Sequence, residues 1–125
     1  MSNEATVFSK HYHVSFVNPL HTREVENLLR EFIVTVGHSF SQDNVILGHI
    51  KLLGRLSELA VEHFLFLSLT RLDQVNVIPS KCWSHVNGIT LTGLDLDINV
   101  LIFGHTFSEI ETKVTESLNQ LGDYR

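Results

Sequence analysis

Residues 11 to 17, HYHVSFV, alternate cleanly between the two sides of an extended chain, with Tyr12, Val14 and Phe16 on one side and His11, His13 and Ser15 on the other. A period of two predicts a strand with one buried face. Beyond Pro19 the period changes. Val25, Leu28, Leu29, Phe32, Ile33 and Val36 recur at helical spacing and predict an amphipathic helix. Thr22 is placed to cap it, Glu24 sits where the helix dipole favours an anion, and Gly37 offers a stop. The segment HSFSQDN is turn-like, and VILGHIKLL, residues 45 to 53, reads as a second strand interrupted by Gly48.

A third strand is predicted at about 62 to 72, where Leu65, Leu67 and Leu69 lie on one side and Phe64, Phe66 and Leu72 on the other. Both sides are apolar, so helices on one face of the sheet cannot satisfy both sets. Residues 73 to 88, containing Pro79, Cys82 and Trp83, form a connector with at most a helical turn or two. In the fourth strand Leu94, Leu96, Ile98, Val100 and Ile102 face one way, while Asp95, Asp97 and Asn99 face the other. Ile89 and Leu91 are in the opposite phase, which predicts a bulge or bend at Gly93. Ser108 and Glu111 have capping-box spacing ahead of a stripe of Ile110, Val114, Leu118 and Leu121, so a C-terminal helix follows.

The resulting fold class is α+β, a mainly antiparallel four-stranded sheet with two main helices on one face. If the connector is helical, the order becomes a ferredoxin-like βαββαβ with an added C-terminal helix. At 125 residues, 43% hydrophobic and 18% charged, the chain has the material for a single domain spanning 1–125, with about 1–8 as a flexible lead-in. The start MSNEA lacks the basic and apolar regions of a secretory signal, and no apolar run is long enough to span a bilayer. With a lone cysteine, Cys82, the expected compartment is the cytoplasm, away from membranes. The formal charge is −5 and the basic residues are scattered, so nucleic acid is not an expected partner.

Histidine is the unusual component, at eight residues, and full protonation would carry the charge from −5 to +3. His11 and His13 share a strand face and are candidate ligands for a divalent metal such as zinc, with His49, Asp95 or Asp97 as further donors. The simpler reading is a pair of histidines on a solvated or interfacial sheet face, and no cofactor is predicted. Asp95, Asp97 and Asn99 begin like a calcium loop, but Val100 and Thr106 stand where that loop requires Gly and Glu. Gly37-His38, Gly48-His49 and Gly104-His105 place histidines beside flexible backbone, suited to acid–base work at a pocket rim. Cys82 and His85 would share one side of a helical turn beside Trp83, although a buried or incidental thiol is the plainer account.

No phosphate-binding loop, dinucleotide fingerprint, CxxC pair, HExxH helix or Ser-His-Asp signature occurs. The leading expectation is a homo-oligomeric module, a dimer first, that binds a small ligand or a protein partner on its sheet or at its subunit junction. The alternative is a small enzyme using His13, His49 or His105 with Asp95 or Asp97.

Overall fold

The computed structural model describes residues 4–56, 63–84 and 90–125. In chain order the elements are β1 (Ala5–His21), α1 (Thr22–His38), β2 (Ser41–Gln42), β3 (Val45–Arg55), β4 (Phe64–Arg71), β5 (Gln74–Pro79), α2 (Lys81–Ser84), β6 (Thr90–Phe103), α3 (Phe107–Leu118) and β7 (Asp123–Tyr124). Every strand pairing is antiparallel, and the sheet order is β5-β4-β3-β6-β1-β7, with β2 attached to β3. The α+β class is as the residue pattern implies, but the sheet has seven strands where that pattern gave four. β1 and β3 both pair with β6, so they run parallel to each other with β6 inserted between them.

One face of this sheet carries the core. From β4 come Leu65, Leu67 and Leu69, and from β6 come Leu94, Leu96, Ile98, Val100 and Ile102, all buried. Helix α1 lays Val25, Leu29, Phe32, Ile33 and Val36 on that face, and α3 adds Ile110, Val114 and Leu118. The two helices also touch each other, and both contact β1. Each fully buried aliphatic side chain contributes about 1.5–3 kcal/mol, so the even positions of β6 and the odd positions of β4 fix which way the sheet faces.

Several local features differ from the sequence reading, each for a physical reason. β1 starts at Ala5 and fully buries Phe8, so the lead-in assigned to about 1–8 is strand from residue 5 onward. Lys10 interrupts the apolar alternation there. It stands on the helix side because its ammonium pairs with Glu111 of α3 and lies 5.8 Å from the Phe107 ring. The N-cap of α1 is His21, whose backbone N–H donates to Glu24 at 3.0 Å, one residue before the expected Thr22. The capping box of α3 is Thr106 with Glu109, two residues before the Ser108–Glu111 pair.

Gly37 does not stop α1; the helix passes through it to His38. A Cβ at position 37 would stand 2.5 Å from Leu69 Cδ2, so glycine is there to let the helix approach the sheet closely. The turn within HSFSQDN is a two-residue hairpin: Asp43 and Asn44 both have positive φ, the geometry that matches strand twist. At Gly93 the phase slip is real, since Leu91 and Leu94 are both buried, and β1 accommodates it with an irregularity between Ser15 and Leu20. The described part of the connector forms β5 and the one-turn α2. Trp83 of α2 is buried in the core cluster, and β5 widens the sheet beside β4.

Candidate functional site

The face of the sheet opposite α1 and α3 is a lattice of odd-numbered positions from β1, β6 and β3 with even-numbered ones from β4 and β5. Its rungs follow from the register. Val7, Leu101 and His49 form one; Ser9, Asn99, Lys51, Ser68 and Asn76 the next. His11, Asp97, Leu53, Phe66 and Ile78 form the third, and His13, Asp95, Arg55 and Phe64 the fourth. The strict alternation of β6 puts both aspartates here, because the neighbouring leucines and isoleucine take the core side.

Polar contacts knit the β1 side of the lattice together. His11 Nδ1 is 2.7 Å from Asp97 Oδ1, and Arg55 donates to the other oxygen of the same carboxylate at 3.0 Å. His13 Nδ1 is 3.0 Å from Asp95 Oδ1, with His11 Nε2 at 3.6 Å from that oxygen. Ser9 donates to Asn99 at 2.7 Å. These side chains are partly exposed, where such pairs contribute little to stability, about 0–1 kcal/mol each. What they do is hold two imidazoles in fixed orientations against carboxylates.

A depression of about 660 Å³ opens beside them, lined by Ser9, Lys10, His11, His49, Lys51, Leu52, Leu53, Phe66, Asp97 and Asn99. Leu53 and Phe66 are adjacent across β3 and β4 and supply an apolar floor. Lys51 rises on the neighbouring rung with no ion-pair partner among the described residues. His49 Nδ1 is buried and has no hydrogen-bond partner among them either. An unsatisfied buried polar atom of this kind costs roughly 1–3 kcal/mol, a cost recovered when something hydrogen-bonds to it.

The expected site residues are therefore divided. His11, His49 and Asp97 line one depression, and His13 and Asp95 occupy the adjoining rung. His105 is elsewhere. It follows β6, with its Nδ1 3.1 Å from Glu109 and its ring edge-on to Phe40 at a centroid distance of 4.8 Å. That hydrogen bond, together with the cap bonds from Thr106, holds the Glu109 carboxyl below the usual glutamate range. Among the described residues no group of three or more His, Cys, Asp or Glu side chains is arranged to hold a metal ion. Cys82 is half-buried on α2, and its proposed companion His85 lies outside the described residues.

Lys51, Leu53, Arg55 and Phe66 complete the face, and the sequence reading singled out none of them as site residues except through the strand phases they belong to. Lys51 between Ile50 and Leu52 carries an alternation signal, visible in KLLGR only once β3 is followed to Arg55. No helix among the described residues is long and apolar enough to cross a membrane. No family model, curated protein or solved structure matches this chain.

Proposed function

We propose that this chain is a small-ligand-binding or regulatory module, assembled from copies of itself, and that the open sheet face is its working surface. The observation that carries the reading is the depression on that face. It joins Lys51, a cation with no ion-pair partner among the described residues, and the buried His49 Nδ1, unbonded among them, to the apolar floor of Leu53 and Phe66. Such a pairing suits a small anion with a planar or aliphatic body, the body lying on the floor and the charge turned towards Lys51. A lone thiol at Cys82 accords with a cytoplasmic setting.

Benzoate is a fitting probe, with benzamidine as the cation of the same shape. The reading expects saturable shifts of the His49 ring resonances with benzoate, absent with benzamidine and abolished by Lys51→Ala. Equal responses to both probes, or none to either, would overturn it.

A second reading, acid–base catalysis, is supported by the His13–Asp95 and His11–Asp97 contacts, in which a carboxylate orients an imidazole as it does in hydrolytic dyads. Hydrolysis of p-nitrophenyl acetate above the rate of free imidazole, lost in His13→Ala, would favour that reading over the first.

A further inference from the structure

We infer that a second copy of this chain covers the open face, packed sheet on sheet with its strands nearly perpendicular, about a two-fold axis that runs diagonally across the lattice. The inference rests on the open face being the working surface, but not on what ligand it takes.

The pattern of the face selects this arrangement. Its apolar side chains gather at two opposite corners. Val7, Leu101 and Phe103 hold the β1–β6 corner with Leu47 of β3 beside them, and Leu53, Phe64, Phe66 and Ile78 run towards the β5 edge. Val7 and Ile78 are 62% and 59% exposed, so these corners lie open among the described residues. The remaining corners are polar and differ in charge. One carries Asp95 and Asp97 with His11, His13 and the Arg55 that donates to Asp97; the other carries Lys51 and the neutral Ser68 and Asn76.

Two copies packed face to face are related by an axis lying between the sheets, and its direction decides which corners meet. An axis along the strands keeps each side chain on its own rung, so it carries Val7 and Leu101 past Ser68 and Asn76 to the exposed Thr70 and Gln74 end of β4 and β5 and brings Ile78 over His11. An axis across the strands drops Val7 and Leu101 onto His13 and Asp95. Both bury apolar side chains against polar ones. The diagonal axis instead matches each apolar corner to itself and carries Lys51 over Asp97 of the other copy. Turning a strand direction about a diagonal rotates it by about a right angle, which is the orthogonal class of sheet packing.

Extent agrees with charge. Five strands about 4.8 Å apart, carrying four rungs about 6.8 Å apart, present a face of about 650 Å². A standard stable interface needs about 800 Å² on each partner, so the face is of the right size to be covered once by its own copy. The axis passes close to the Lys51–Leu53–Asp97 region, so the depressions of the two copies confront each other. A ligand held there is enclosed by both chains.

The test is a charge exchange read by sedimentation equilibrium without any ligand, with circular dichroism confirming the fold of each variant. Lys51→Asp places an acidic group over Asp97 of the other copy, and Asp97→Lys places a cation beneath Lys51 of the other copy. Each variant alone is expected to sediment as monomer, while an equimolar mixture restores mass of twice 14.2 kDa, because both cross-chain contacts are then attractive. Folded single variants that remain dimeric would overturn the arrangement, as would a mixture that stays monomeric. Failure here with benzoate still shifting His49 would leave the ligand site standing without the dimer; the reverse result would remove the ligand and keep the dimer.

Discussion

Phe66 and Leu67 are neighbours in β4 with opposite fates, so replacing each with Asp separates the two faces of the sheet. Leu67 is fully buried among the leucines beneath α1. Truncating such a leucine to Ala costs about 2–5 kcal/mol. Burying a carboxylate there adds the price of keeping it protonated, about 3–5 pKa units, or roughly 4–7 kcal/mol. The combined loss, about 6–12 kcal/mol, is comparable to the whole stability of an ordinary domain, about 5–15 kcal/mol. Leu67→Asp is therefore expected to be unfolded at neutral pH. Phe66 faces away from the core and is only half-buried, so Phe66→Asp costs the fold about 1 kcal/mol through lost strand preference. Urea titration followed by Trp83 fluorescence is a direct assay, since Trp83 is the one tryptophan of the chain and is buried. A folded Leu67→Asp protein beside an unfolded Phe66→Asp protein would refute the assignment of the two faces.

Other consequences follow from single contacts. Gly48 has a φ of +139°, and a Cβ there would lie 1.8 Å from the Leu101 carbonyl oxygen, so Gly48→Ala is expected to lower the urea midpoint by the equivalent of about 2–4 kcal/mol. Glu109 titrates below its ordinary value in the folded chain because His105 and Thr106 stabilise its carboxylate. Its contribution is present above the unfolded glutamate pKa and is lost as pH falls through the lower folded value, and Glu109→Gln should flatten that acid limb of the thermal melt. Zinc addition is expected to leave the melting temperature unchanged, since no group of three or more His, Cys, Asp or Glu side chains among the described residues is arranged to hold a metal ion; a rise at stoichiometric zinc would contradict this.

How far the sequence reaches is clear from particular elements. The α1 stripe and the β6 alternation were legible because each repeats long enough for its period to be unambiguous, and the two-sided apolar character of β4 pointed to the face that α1 and α3 do not cover. β2 and β7 are two residues each and owe their existence to pairing partners, which no local pattern announces. β5, QVNVIP, alternates too briefly to be told from loop, yet Val75 and Val77 pack on the core while Ile78 extends the open face. Register was the larger gap. His11, His13, Asp95 and Asp97 were all assigned to the sheet face, but only the β1–β6 pairing shows that His11 opposes Asp97 and His13 opposes Asp95. The depression was invisible for the same reason, because Lys51 and Phe66 belong to different strands and meet only through β3–β4 pairing.

The claim that the open face is where this protein meets its partner is tested most directly by the mass of the unmodified chain beside that of Phe66→Asp. Sedimentation equilibrium at micromolar concentration and neutral pH should give twice 14.2 kDa for the first and 14.2 kDa for the second, with identical circular dichroism. The same mass for both proteins, whether monomer or dimer, would contradict it.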